Sequence, residues 1–176
     1  MTLFAEHRPD LRGVPDPALV VRVAAPDDVD AVVSVAATRG ERAPGFRDQV
    51  AAWAQDPARH VLVADRRGEV VGWAMLARWV DPTDVPDGWY VSALTVHPAW
   101  RRRHAGDRLL RALLTCDLAA DGPVRSVVNA GNGPSLALHR RHGFVEVRRA
   151  ATLAGITFVG GTGVLLAADR GERGRA

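Results

Sequence analysis

Three consecutive arginines, Arg101, Arg102 and Arg103, stand where a β-rich run gives way to a leucine-rich helical pattern, in the segment VHPAWRRRHAGDRLLRALL that begins at Val96. A helix start offers backbone N–H groups and the positive end of the helix dipole, and arginine forks add paired hydrogen bonds to phosphate oxygens. The chemistry such a turn can do is anion binding, and a pyrophosphate would fit it. The dipole contributes about 0.3–2 kcal/mol. One arginine about 4 Å from a charge contributes on the order of 4 kcal/mol at an effective dielectric of 20, before desolvation. The side chains therefore matter at least as much as the turn. A merely solvated turn would show the same triplet, so its position in the fold must decide.

A second group lies in the run from Asn132 to Phe144, which contains Ser135, His139 and His142. Imidazole titrates near neutrality and can donate a proton at working pH; a surface histidine on a late helix is the plain alternative for His139. His139 and His142 have a spacing that could hold a metal, but no third ligand is evident and no metal is expected. Tyr90 and Ser92 are the polar groups of a strand that follows a loop carrying Asp81, Asp84 and Asp87. That loop could attract a cationic amine or simply be solvated. Cys116, the one cysteine, sits in a leucine-rich helical pattern and reads as a buried thiol without redox work.

These residues need elements to hold them. Residues 1–18, with Pro9, Gly13, Pro15 and Pro17, read as an irregular extension. Leu19 to Val23 is a short strand, and Pro26-Asp27-Asp28 starts a helix that runs to about Thr38. A second helix, Phe46 to Gln55, ends before Pro57. His60 to Ala64 and Val70 to Trp79 form a hairpin through Arg66-Arg67-Gly68. Asp81 to Gly88 is a loop and Trp89 to Val96 a strand. From about Gly106, the leucines at 109, 110, 113, 114 and 118 mark an amphipathic helix. Val124 to Val128 is a strand, Ser135 to His142 a short helix, and Val145 to Thr152 and Gly163 to Ala167 are the last strands. Strand, two helices, three strands, helix, strand, helix, two strands describes an α/β sandwich with a mixed sheet. The expected organisation is one domain over residues 19–168, with a tail at 169–176.

Composition limits the function. At 176 residues and 47% hydrophobic content, the chain supports one core. All 23 positive residues are arginine, which removes Schiff-base lysine chemistry and the P-loop. A net charge of +3 is small for a dedicated nucleic-acid binder, so no nucleic acid is expected. No long apolar run is present, and Glu6, Arg8 and Asp10 stand where a signal peptide needs apolar residues; a cytoplasmic protein without membrane partners is expected. There is no Gly-x-Ser-x-Gly elbow to suggest a hydrolase.

The segment from Val96 resembles the acetyl-CoA loop of the GNAT superfamily, Gln/Arg-x-x-Gly-x-Gly/Ala after a strand ending Val-x-Pro, here Val96-His97-Pro98 and Arg101-x-x-His104-x-Gly106. The block Asn132-Gly-Pro-Ser135-Leu-Ala-Leu138-His139-Arg-Arg-His142-Gly143-Phe144 resembles the family's later Asn-x-x-Ala/Ser-x-x-x-Tyr-x-x-x-Gly-Phe pattern. The resemblance covers roughly Leu19 to Ala168. Two positions depart from it. His104 replaces the loop's first glycine, where a left-handed conformation costs a side chain about 1–2 kcal/mol. His139 replaces the usual tyrosine, a variant shared with phosphinothricin-type small-molecule N-acetyltransferases.

The resemblance implies a mixed, mostly antiparallel sheet flanked by helices, its fourth and fifth strands splayed. It implies acetyl transfer from acetyl-CoA to the amine of a small molecule in a ternary complex. Acetyl-CoA would be held by Leu94, Thr95 and Val96, by Arg101, Arg102, Arg103, His104, Ala105, Gly106 and Asp107, and by Asn132, Ser135 and His139. His139 would protonate the leaving thiolate. No carboxylate stands at the strand position where phosphinothricin-type members have a glutamate, which is Val91 here; Tyr90 and Ser92 are the nearby polar groups, and ordered water or the amine's own equilibrium is the safer route for the proton. Trp53, Trp73, Trp79 and Trp89 could wall an acceptor pocket or pack the core. A protein N-terminus or lysine is the alternative acceptor, and a silent acyl-CoA-binding domain the alternative without catalysis. Homodimerisation through an edge at Thr162 to Ala167 is a further arrangement the analogy offers.

Overall fold

The computed structural model describes residues 13–119 and 122–169. Among the described residues the strands are β1 (Leu19–Val23), β2 (Arg59–Arg66), β3 (Glu69–Trp79), β4 (Gly88–Val96), β5 (Val124–Asn129), β6 (Val145–Ala150), β7 (Thr152–Leu153), β8 (Ile156–Thr157) and β9 (Gly163–Ala168). The α-helices among the described residues are α1 (Val29–Ala37), α2 (Phe46–Gln55), α3 (Ala105–Thr115) and α4 (Gly133–Arg141). Seven strands form one mixed, mostly antiparallel sheet in the order β1-β2-β3-β4-β5-β9-β6, and β7 and β8 pair separately. The chain gathers into two compact units whose boundaries fall inside β3 and β4: residues 13–76 with 93–113, and residues 77–92 with 114–119 and 122–169.

In the first unit, β1 pairs antiparallel with β2 from Leu19↔Arg66 to Val23↔Leu62. The β2–β3 turn is Arg67-Gly68, both at positive φ (54° and 88°), the two-residue geometry whose twist matches the strands it joins. The core joins Val29, Val32 and Val35 of α1, Val50 of α2, Val61 and Val63 of β2, and Trp73 and Met75 of β3. Trp53 of α2 stacks on Trp73 at 6.5 Å, so these two tryptophans pack the core. A 3-10 turn, Pro26–Asp28, precedes α1. There Asp28 accepts Ala25 N (2.7 Å) and both ends of the Arg22 guanidinium (2.5 and 2.9 Å), and Arg22 also reaches Asp65.

α3 buries Ala105, Leu109, Leu110 and Leu113. It ends at Thr115; Leu118, expected on the same helix, lies in a separate 3-10 turn (Asp117–Ala119) and is exposed. Cys116, expected to be buried, is only partly so.

In the second unit, β5 pairs antiparallel with β9 over six residues, and β9 with β6 across a bulge between Glu146 and Arg148. β4 meets β5 in parallel register only at Trp89↔Val124 and Tyr90↔Arg125. The strand expected from Val145 to Thr152 stops at Ala150. Thr152 opens the small β7–β8 hairpin instead, turned by Ala154 and Gly155 at φ 53° and 71°, where no side-chain alternation announces it. No helix among the described residues is long and apolar enough to cross a membrane.

Candidate active site

β4 ends at Val96, and the chain turns through a short 3-10 segment, Pro98–Trp100, into the arginines. His97 N donates to Val71 O, which fixes the exit of β4 against β3. Gly72 permits that close approach, since a Cβ there would come within 3.1 Å of the Thr95 carbonyl oxygen. Thr95 is buried, while Leu94 and Val96 are partly exposed.

Arg101, Arg102, Arg103 and His104 are all exposed. Arg102 and His104 both adopt left-handed backbone conformations, with φ 62° and 63°. Each costs a side chain about 1–2 kcal/mol relative to ordinary geometry, with histidine among the more tolerant types. The glycine-like conformation expected at position 104 is therefore present without the glycine. The first bond of the α3 ladder that follows is Arg108 N to His104 O (3.0 Å), so the N–H groups before Arg108 stand outside the ladder at the positive end of the dipole. Ala105 is buried, and Gly106 and Asp107 are partly exposed; Asp107 pairs with Arg111 at 3.9 Å.

Beside this turn lies an open depression of about 620 Å3, lined by residues 13–18, by Arg66 and Arg67, and by the three arginines. Its floor includes Asp16, 8% exposed, which accepts Arg66 Nε at 2.7 Å and faces Arg103 Nη1 at 3.8 Å. The Arg66 hydrogen bond, followed by one from Ala18 N, holds the Asp16 carboxyl below the ordinary carboxylate range. Arg66 and Arg103 both lie over the Trp100 ring, 4.7 and 4.9 Å from its centroid, a cation–π arrangement. Sequence reasoning missed Gly13, Asp16, Arg66 and Trp100 as companions of the turn. Asp16 between two prolines is the only local hint, and its partner is fifty positions away.

The second unit treats its expected catalytic groups differently. Tyr90 is completely buried; its ring stacks on Trp79 at 4.0 Å, and its hydroxyl donates to Pro86 O at 2.6 Å. Burial raises its pKa. Ser92 Oγ accepts Trp79 Nε1 at 2.9 Å and donates to Tyr90 O at 3.3 Å. Both hydroxyls hold the β3–β4 loop and its flanks in this arrangement. The aspartates of that loop are also engaged: Asp87 Oδ1 accepts Asp81 N, and Asp84 Oδ1 accepts Ala154 N. Trp79 and Trp89 are packing residues here.

Asn132 caps α4, its side chain accepting Ser135 N at 3.2 Å. His139, expected to protonate the leaving thiolate or else to be a surface histidine, is not at the surface: it is 2% exposed and edge-on to Phe144. Its Nδ1 donates to Ser135 O at 2.8 Å, so Nδ1 carries the proton, and its buried Nε2 has no hydrogen-bond partner among the described residues. Burial lowers its pKa more than the Ser135 bond raises it. Burial thus disfavours the charged ring, and Nε2 faces an enclosed site. Among the described residues no group of three or more His, Cys, Asp or Glu side chains could hold a metal ion.

Comparison with known proteins bears on this arrangement. The chain is similar to the N-alpha-acetyltransferase RimI of Mycobacterium tuberculosis, 37% identical over 91 residues, which are 52% of this chain and 55% of the relative. The match thus spans about half the length of that curated relative. The fold is similar to that of a protein provisionally named phosphinothricin N-acetyltransferase (TM-score 0.66, 23% identity, 88% of this chain and 99% of the other). It is also similar to YncA of Salmonella typhimurium, solved with its cofactor acetyl-CoA (TM-score 0.69, 20% identity, 90% and 97%). The family model described as acetyltransferase (GNAT) family matches residues 31–144, which include β4, the arginine turn and α4, and the chain accordingly belongs to that family.

Proposed function

We propose that the protein transfers the acetyl group of acetyl-CoA to an amine by direct attack in a ternary complex. The observation that carries this reading is the arginine turn: three exposed guanidinium groups and two left-handed residues at the positive end of α3, where a pyrophosphate would find charge and backbone donors together. The acetyl-CoA seen with YncA supports the choice of donor.

In the reaction, the neutral amine nitrogen attacks the thioester carbonyl carbon, the C–S bond breaks, and the thiolate leaves. The amine gives up one proton and the thiolate gains one. Tyr90 and Ser92 are occupied by Pro86, Trp79 and the Tyr90 carbonyl, so the amine proton goes to ordered water or is lost beforehand through the amine's own equilibrium. His139 would have to be protonated before it could give a proton from Nε2, and burial opposes that. Solvent supplies the thiolate's proton on this reading.

Two acceptor classes are carried forward. The Leu138-His139 pair favours a small-molecule amine, and the 37% identity to RimI favours the α-amine of a protein N-terminus. Thiol release from acetyl-CoA, measured with a panel of amino acids, polyamines, aminoglycosides and short peptides, separates them. Turnover confined to peptides with a free α-amine selects the second class, and turnover confined to small amines the first. Calorimetric binding without any thiol release would favour a silent acyl-CoA-binding domain. His139→Ala, assayed where the variant is folded, tests the proton route: a donating histidine would lose roughly 10²–10⁴-fold in kcat, whereas a ring whose charged form burial disfavours predicts a change below about tenfold.

A further inference from the structure

The arginine turn places two side-chain-bearing residues, Arg102 and His104, in the left-handed region with one residue between them. Neither position is glycine, asparagine or aspartate, and of the two only histidine is among the more tolerant side chains, so the turn's own sequence does not account for two such residues so close together. Something else must hold it. Besides the neighbouring Trp100 under Arg103, the residues that contact the turn come from the segment before β1, far away in the chain.

Three contacts connect them. Gly13 lies against the Arg102 carbonyl so closely that a Cβ there would overlap the oxygen and come within 2.8 Å of the carbonyl carbon. The Gly13 carbonyl oxygen accepts from His104 Nε2 at 3.2 Å. Asp16 reaches Arg103 and holds Arg66. Arg102, Arg103 and His104 are thus each contacted by the same short segment.

That segment is itself held. Asp16 Oδ1 accepts Ala18 N at 3.0 Å, and the Asp16 carbonyl accepts Leu19 N at 3.3 Å, so the turn over Asp16 continues directly into β1. Pro15 and Pro17 fix φ on either side and reduce the freedom lost when the segment docks. A restrained strap rooted in the sheet can restrain in turn what it touches.

We infer that Gly13 and Asp16 are positioning residues for acetyl-CoA: the segment from Gly13 to Ala18 braces the arginine turn in its left-handed conformation and supplies the constraint that a glycine at position 104 would make unnecessary. This rests on the proposed reading of the turn as the site for the phosphates of acetyl-CoA. The brace acts before the ligand arrives, by leaving less ordering to be done on binding. It therefore affects the affinity for acetyl-CoA and leaves the chemical step alone.

The test uses the full chain and two readouts: calorimetric binding of acetyl-CoA, and KM for acetyl-CoA against kcat in thiol release. Gly13→Ala is expected to weaken binding about tenfold and raise KM to match, with kcat held within about twofold. Asp16→Asn keeps the bond from Ala18 N but loses the charge facing Arg103 and Arg66, and is expected to weaken binding about threefold. The deciding variant is Gly13→Ala combined with His104→Gly. Glycine adopts the left-handed conformation without support, so the double variant should recover most of the lost affinity, a rescue that general destabilisation would not produce. If Gly13→Ala does not fold, Asp16→Asn alone and in the His104→Gly background decides by the same comparison. Wild type that binds acetyl-CoA together with variants that bind equally well, or a loss that His104→Gly does not relieve, would overturn the inference while leaving the proposed function standing. Wild type that binds no acetyl-CoA overturns both.

Discussion

The arginine turn and the Trp79–Tyr90–Ser92 cluster both contain polar side chains that could do chemistry, and the structure uses them in opposite ways. In the turn, charged groups point outward from a backbone held at positive φ. In the cluster, each polar atom closes an internal hydrogen bond: Tyr90 to Pro86, Trp79 to Ser92, Ser92 to Tyr90. A buried hydroxyl left unpaired costs about 1–3 kcal/mol, so burial itself recruits such groups for structure. Exposed guanidiniums carry no such obligation and remain available to a ligand. Polarity alone therefore does not identify a functional group; availability does.

Removing charge from the turn should break this contrast most visibly. Arg101→Ala with Arg102→Ala is expected to weaken acetyl-CoA binding roughly 100-fold, about 2.7 kcal/mol, with the melting temperature nearly unchanged. Calorimetry and thermal unfolding read the two effects separately; a large drop in stability at unchanged affinity would place the turn with the structural cluster.

Tyr90→Phe should do the reverse. It leaves the Pro86 carbonyl without its donor and is expected to cost about 1–3 kcal/mol in urea unfolding, with kcat/KM for the folded enzyme preserved. Ser92→Ala is the milder form of the same experiment, leaving Trp79 Nε1 without its acceptor at about 1 kcal/mol. A selective collapse of kcat in either variant would return that hydroxyl to catalysis.

The smallest effect concerns pH. The folded-state pKa of His139 lies below its ordinary value of about 6.5, so below that pH the unfolded chain binds a proton that the folded chain refuses. Stability from this residue is full above about pH 6.5 and is lost as pH falls from there toward the folded pKa. His60, also lowered by burial, adds a slope of the same sign. In His139→Leu the dependence of unfolding free energy on pH between about 6.5 and 5 should flatten but not vanish, as followed by urea titrations at several pH values. An unchanged slope would mean that His139 titrates alike in the folded and unfolded chain, which would reopen its role as an acid.

Much of the fold was legible because its signals are local. The β-rich runs of β1 to β5, the leucines of α3, the proline after α2 and the Arg67-Gly68 turn each act over a few residues. The β7–β8 hairpin was not legible: its strands are two residues long and carry no alternation. The arginine turn was legible as an anion site for the same local reason, since the triplet and the helix start are adjacent in sequence. The positions of Tyr90, Ser92 and His139 were legible as well, but not the hydrogen bonds they make.

The sequence by itself determined where the charges fall, where the helices start and which residue types could bind a phosphate. Only the tertiary structure decided which of those groups stay free. Whether a hydroxyl or an imidazole is spent depends on what lies within 3 Å of it, and for Tyr90 and His139 that environment is an enclosed one with a carbonyl as partner. Asp16 and Arg66 are fifty residues apart, and Gly13 lies ninety-one from His104. No short-range pattern records such pairs: the pairing of β1 with β2 brings Asp16 beside Arg66, and the chain's path after β4 brings His104 to Gly13.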